Sequence, residues 1–414
     1  MKLKIITITI IFMISGVLSA QDILSSYLET AANNNPGLKS KFSEYMASLE
    51  IVPQVGTLPD PQIAFGYFIL PVETRNGPQK AKISFTQMFP WFGTLNAKEE
   101  VFVNRAKAKY ESFEDYKSKL FFEVKATYYD LYFIEKGIDI TLGNIRILES
   151  YRSLALIKIE SGKASAVDEL RIEMELADLE NNLAILRDKG SIARVKFNNL
   201  LNTDEQDEIM IPESLWTNDL QLTRQDLLDS LRLNNHQVMK FDHLLESYRE
   251  SERAARKSGL PSMSIGIDWI ITGKTDNTMV DQANSGKDAI LFPKIGITIP
   301  LYRKKYTAMV KETLYMQDAT LGQKEEKINT LEVLFERAYF EYVDSQRRIV
   351  LYLKQRTFAQ NAMSILESEY SVSGIDFEEI LRMERRFLGY SLELEKAYSD
   401  KQASIAFINY LIGE

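Results

Sequence analysis

Cysteine is absent from this 414-residue sequence. That excludes a disulfide scaffold, a zinc–thiolate site, an iron–sulfur cluster, thiol catalysis and lipid attachment through a cysteine. Histidine is nearly absent: His236 and His243 share one helix face with no acidic–histidine motif and no third ligand, so a metal centre is not expected. Glycine (19) and proline (11) fall at roughly two-thirds and half of average usage, so helix should dominate. The net charge of −8 lacks the Lys/Arg excess that nonspecific nucleic-acid binding requires. No phosphate loop, catalytic triad pattern or zinc motif is present, so neither an enzyme nor a cofactor is expected. Beyond residues 1–20 no stretch approaches 18 uninterrupted apolar residues, so no membrane-spanning helix is expected. The mean hydropathy of −0.20 reads as soluble, but it is an average over the chain.

Residues 1–20 have the plan of a secretory signal. Lys2 and Lys4 precede an apolar run from Ile5 to Ile14, and the small-residue pattern Leu18-Ser19-Ala20 places a cut after Ala20. The run is short for a membrane anchor. An exported, cysteine-free product fits a bacterial compartment beyond the inner membrane.

The remainder is an internal repeat. Pro61-Gln62-Ile63-Ala64-Phe65-Gly66 matches Pro261-Ser262-Met263-Ser264-Ile265-Gly266 at an offset of 200. Lys82-Ile83-Ser84-Phe85-Thr86 matches Lys294-Ile295-Gly296-Ile297-Thr298 at 212, and Leu170-Arg171-Ile172-Glu173 matches Leu381-Arg382-Met383-Glu384 at 211. Three matches in one order at nearly constant offset define two copies of a unit: helix, strand, strand, long helix, turn, shorter helix. The copies span 21–201 and 222–414, with a connecting segment at 202–221.

Strands are expected at 61–70, 81–92, 262–272 and 290–301, from period-two alternation. Ile63, Phe65, Tyr67 and Ile69 make one large apolar face; Met263, Ile265, Ile267, Trp269 and Ile271 alternate with Ser264, Gly266 and Asp268. Each is about 10 residues long, enough for a tilted strand to cross a bilayer. Tyr67, Phe68, Phe89, Trp91, Phe92, Trp269, Phe292 and Tyr302 gather near strand ends, like interface girdles. Four strands cannot close a useful barrel and an open edge cannot face lipid, so several chains would have to share one barrel. Three chains supply twelve strands.

The helices are too long for an ordinary globular domain. Long helices are expected at 95–160 and 303–372, each about 100 Å at 1.5 Å per residue. Leu120, Val124, Thr127, Leu131, Ile134, Ile138, Thr141, Ile145 and Leu148 step by four and three, a heptad seam. Half-length helices are expected at 22–52, 165–200, 222–257 and 376–411, with 165–200 stacked end to end on 222–257. The aromatics Phe121, Phe122, Tyr128, Tyr129, Tyr132 and Phe133 have the spacing of interhelical packing rather than of a ligand box.

Specific motifs then resemble a known family. Leu58-Pro59-Asp60-Pro61 precedes the first strand, and Gln87-Met88-Phe89-Pro90-Trp91-Phe92-Gly93 enters the first long helix. Helix hairpins turn at Ser161-Gly162, between Tyr151 and Leu170, and at Ser373-Gly374, between Tyr370 and Leu381. These resemble the TolC-like outer-membrane efflux proteins, over essentially the whole chain after residue 20. The resemblance implies a mainly α fold with a β-barrel part. It would be a homotrimer with an α-helical tunnel in the periplasm and one shared 12-stranded barrel in the lipid of the outer membrane. It implies an exit duct of a tripartite efflux or type I secretion system, working with a periplasmic adaptor (membrane fusion protein) and an inner-membrane pump of the RND or ABC type. Many relatives carry a cysteine for lipid attachment, and this chain does not. A periplasmic coiled-coil adaptor or scaffold without a barrel is the alternative; it would not need four girdled strands.

By that resemblance the adaptor-contact tips are Ser161, Gly162, Lys163, Ala164 and Ser165 with Val372, Ser373, Gly374 and Ile375. A tight helical turn also calls for Gly at these positions. Asp168, Asp376, Glu378 and Glu379 follow the turns and are candidates for a periplasmic gate, where threefold repetition would turn each inward carboxylate into a ring. Acidic residues in a first helical turn also favour the helix dipole, by about 0.3–1 kcal/mol each.

Overall fold

The structure is a computed structural model that describes residues 23–162, 164–204, 207–215, 218–275, 285–373 and 377–414, without the side chains of 289–291 and 371–373. The expected signal segment lies outside the described residues. Helix α1 covers 23–34 and α2 Pro36–Gly56; strands β1 (Gln62–Val72) and β2 (Gln79–Phe89) follow, then α3 (Thr94–Glu160) and α4 (Ala166–Leu201). The second copy runs α5 (Arg224–Asn234), α6 (His236–Ser258), β3 (Ser262–Thr272), β4 (Ala289–Thr298), α7 (Arg303–Ser373) and α8 (Phe377–Leu411). Among the described residues no helix is long and apolar enough to cross a membrane.

The chain divides into two compact units that cut across the sequence repeats, because each copy sends segments into both. One unit holds the four strands and the helical segments Phe42–Glu111 and Met239–Glu326 that flank them. Its sheet is antiparallel in the order β1-β2-β3-β4, with Phe65 opposite Ile83 and Ile83 opposite Trp269. The alternation seen in the sequence becomes two faces. Ile63 (76 % exposed), Phe65, Tyr67, Ile69, Phe85, Ile265, Ile267, Trp269, Ile295 and Ile297 stand bare, with none of the described residues over them. The opposite face carries Ala64, Gly66, Ser84, Thr86, Ser264, Gly266 and Gly296. The helices beside the sheet are held together by polar ties: the Lys257 ammonium donates to Phe92 O at 3.0 Å, Arg303 to Gly259 O at 3.2 Å, and the Ser247 hydroxyl to Val101 O at 3.1 Å.

The other unit is helical and holds the apolar cores. Leu120, Val124, Thr127, Leu131, Ile134, Thr141 and Leu148 of the expected heptad seam are buried, and Ile138 and Ile145 pack against those cores. Tyr128, Tyr129 and Tyr132 are buried as packing residues, Tyr128 beside Phe197 and Tyr27. The connecting segment is tied down by Tyr128, whose hydroxyl donates to Met210 O, and by Tyr27, which accepts from Met210 N, both at 3.0 Å. The buried Lys401 ammonium reaches Asp219 at 2.7 Å.

Two expected helices are each broken in two. The helix expected over 22–52 breaks at Asn35, and that over 222–257 breaks at Asn235, at the same place in each copy. At both, the side-chain amide supplies what the helix gives up. The Asn35 amide donates to Leu200 O at 3.0 Å while its oxygen accepts from Leu38 N. The Asn235 amide donates to Leu411 O at 2.9 Å while its oxygen accepts from Gln237 N. Each asparagine therefore starts one helix and closes the C-terminal end of another, where carbonyls lack intrahelical donors. This corrects the expected stacking: the end of α4 meets the α1–α2 break, and the end of α8 meets the α5–α6 break.

Asn235 is 1 % exposed, so Asn235→Ala should strand the buried Leu411 carbonyl, at a cost of about 1–3 kcal/mol, and free the half-buried Gln237 N–H. The expected outcome is a lower thermal midpoint of the helical circular dichroism in detergent; an unchanged midpoint would contradict the closing role of this residue.

Candidate functional site

The hairpin ends singled out in the sequence lie in the helical unit, where α3, α4, α7 and α8 come together. Helix α3 stops as Ser161 N donates to Ile157 O at 3.2 Å and Gly162 N to Ile159 O at 2.9 Å. Gly162 has φ +70, with no side chain within 4 Å of where a Cβ would sit, so backbone conformation rather than crowding calls for glycine here. Helix α4 starts at Ser165, whose hydroxyl accepts from Val167 N, while the Asp168 carboxylate accepts from Ser165 N: a reciprocal cap. Ser161, Gly162, Ala164 and Ser165 are thus brought together, and Val372 and Ser373 lie in the last turn of α7. Lys163, Gly374, Ile375 and Asp376 lie outside the described residues.

Beneath the turns Leu148, Ala155, Ile172, Leu176, Met363, Tyr370, Phe377, Ile380 and Leu381 form one core. The Phe377 ring meets Tyr370 at 5.3 Å and Tyr151 at 5.7 Å. The Lys158 ammonium lies over the Tyr370 ring at 3.5 Å, binding the end of α3 to that of α7.

The candidate gate carboxylates that the structure describes all have local partners. Asp168 is buried and also meets Arg171 at 3.3 Å. Glu378 receives Arg171 from α4 at 3.4 Å and Arg385 from its own helix at 3.3 Å. Glu379 pairs with Arg382, and Arg385 crosses back to Glu175 on α4 at 3.1 Å. Arg171 and Arg385 therefore stitch α4 to α8 close to the turns.

One titratable residue here had not been singled out. Glu384 sits on the apolar stripe of α8 with Phe377, Ile380 and Leu381 and is 4 % exposed. Its carboxylate accepts from the Asn144 amide of α3, and among the described residues no cation faces it. Burial, set against that hydrogen bond and reinforced by the nearby Glu367 carboxylate, pushes its pKa up to about 7. Glu367 in turn accepts from the Tyr151 hydroxyl. A carboxylate three and seven residues along from apolar stripe positions was the sequence signal available.

No family model matches the sequence, and no curated protein does. Solved structures match over nearly the full length. The outer-membrane protein VceC from Vibrio cholerae aligns with TM-score 0.77 at 12 % identity, covering 96 % of this chain and 98 % of that one. The Neisseria gonorrhoeae MtrE outer-membrane channel, in its open state, aligns with TM-score 0.73 at 14 % identity, over 94 % and 89 %. The Campylobacter jejuni CmeC outer-membrane channel gives 0.72 at 13 %, over 94 % and 85 %. The chain has the fold of these outer-membrane channels.

The raised pKa of Glu384 sets a pH dependence. The folded state holds this proton more tightly than the unfolded chain, so its contribution is full below the ordinary carboxylate value of 4.5 and is lost as pH rises to about 7. Amide exchange in α8 near Glu384 should therefore quicken between pH 5 and 7.5, as a ratio to the exchange of an unstructured control. Glu384→Gln should abolish that extra dependence; an unchanged profile in the variant would assign it elsewhere.

Proposed function

We propose that this chain is the outer-membrane exit duct of a tripartite efflux or type I secretion system, a passive conduit rather than an enzyme. The four-stranded sheet carries this reading: one face is apolar and bare, and β1 and β4 each have an unpaired edge among the described residues. In water such a face would be an aggregation hazard; in lipid it is satisfied, but the edges are not. Joining three copies β4 to β1 closes a twelve-stranded barrel, removes every edge and turns the small polar face inward. A soluble adaptor or scaffold leaves that face without a purpose.

A second feature supports self-association. Val333, Phe340, Leu351, Phe358 and Ile365 lie exposed along α7 at steps of seven and eleven residues, a coiled-coil spacing with no described helix over it. A neighbouring copy in the same trimer is the occupant we assign. The cell location follows: barrel in the outer membrane, helices in the periplasm, and an exported precursor cut after Ala20.

The turns 161–165 and 372–375 are proposed to receive the tips of a periplasmic adaptor, which joins the duct to an inner-membrane pump. Their small residues allow close approach of helix ends. Asp168, Asp376, Glu378 and Glu379 are proposed to line the closed end, with Arg171, Arg382 and Arg385 as the cations whose pairing changes when it opens.

Envelope fractionation should recover the protein only with detergent, as a trimer on cross-linking. Phe340→Glu with Phe358→Glu should shift it to monomer while keeping its helical content. Recovery of the unaltered protein in a detergent-free periplasmic extract would overturn the duct, and a variant that remains trimeric would overturn the α7 interface.

A further inference from the structure

The four strands run against the charge of the chain: they hold three lysines and one aspartate in a sequence whose net charge is −8. Three of these four residues meet at the middle of the polar face. Asp268 on β3 receives the Lys82 ammonium from β2 at 2.6 Å and that of Lys294 from β4 at 2.8 Å. The aspartate side chain is almost covered, at 6 % exposure, whereas the two lysines stay 38 % and 34 % exposed. A solute passing this face therefore meets ammonium groups rather than the carboxylate between them.

The surroundings fit that arrangement. Lys82 stands opposite Gly66 and Lys294 opposite Gly266, and the Lys294 stem runs within 2.6 Å of where a Cβ on Gly266 would sit. Glycine there lets the lysine lie against the sheet and reach Asp268. On the same face at mid-sheet Ala64, Ser84, Thr86, Ser264 and Gly296 are small and uncharged, and Phe292, opposite Asp268, is large but also uncharged.

The repeat explains the surplus. Lys82 and Lys294 are equivalent positions in the two copies, but Asp268 has no equivalent carboxylate: the first copy has Phe68 there. Two lysines therefore share one aspartate, and among the described residues each chain keeps one uncompensated positive charge at this height. A staple across β2, β3 and β4 would need only one lysine for charge balance.

We propose that Lys82, Lys294 and Asp268 form a cationic ring in the barrel lumen, and that the duct favours anionic solutes at the outer membrane. This rests on the shared-barrel reading above, which brings six lysines and three aspartates to one level. Rings of basic side chains select anions by the same electrostatics with which acidic rings select cations.

The test is the reversal potential of the full-length trimer in planar bilayers under a KCl gradient at low ionic strength, where screening extends over about 30 Å. Carboxylates elsewhere on the chain offset every variant equally, so the readout is the shift between variants. Lys82→Gln with Lys294→Gln should lower the chloride-to-potassium permeability ratio by about tenfold, the lower end of what a charged cleft does to local ion concentration. Asp268→Asn should raise the ratio, and Lys82→Arg with Lys294→Arg should preserve it. A purely structural staple would weaken the trimer in both the lysine and the aspartate variants without moving the ratio in opposite directions. An unmoved ratio in conducting trimers of the double glutamine variant overturns the ring; if that variant does not assemble, an unmoved ratio in Asp268→Asn does so. Unaltered protein that forms no channel at all overturns the duct reading itself, and the ring with it.

Discussion

A strand at the edge of a sheet leaves a row of amide and carbonyl groups that water can satisfy and hydrocarbon cannot. Here β1 and β4 are both edges, on a sheet whose apolar face has no cover among the described residues. The two facts pull in opposite directions: the face calls for lipid and the edges forbid it. Closure with further copies reconciles them. The proposed closure would turn the small polar face inward and give Lys82, Asp268 and Lys294 a lumen to stand in.

The legible parts of the fold were those carried by period. Alternation marked all four strands to within three residues at each end, since one face must be large and the other small. The steps of four and three from Leu120 to Leu148 marked the buried seam of α3. The breaks at Asn35 and Asn235 were not carried by any period. A proline follows Asn35 and disfavours helix before it, but His236 follows Asn235 and gives no such warning. Each asparagine is explained by a carbonyl more than 160 residues away, at the end of α4 or α8. Such a partner becomes visible only once the helices are placed.

At the hairpin ends the residue types were legible and their local engagements were not. Asp168 was open to two uses, helix dipole or gate, and within one chain its carboxylate does something more specific: it caps α4 and meets Arg171. A cap is a local demand that any chain with this turn must meet, and it does not oppose a second use in an assembly. Arg171 shows why sequence alone could not assign these pairs: it lies on α4, yet one of its carboxylates lies on α8, in the other copy of the repeat.

The two copies have kept what folding requires and diverged where charge is concerned. Asn35 and Asn235 still make equivalent bonds, because every such break needs a closed helix end. Glu173 and Glu384 occupy matched positions but not matched environments. Glu173 meets Arg152 at the surface, whereas Glu384 is buried against Asn144 with no cation and is held near neutrality in its proton affinity. Lys82 and Lys294 are matched and remain alike, yet the carboxylate they share exists in one copy only. A strictly symmetric repeat would pair each of these charges within its own copy. Asymmetry is what leaves one carboxylate without a cation at the hairpin end and one ammonium without a full counter-charge on the sheet.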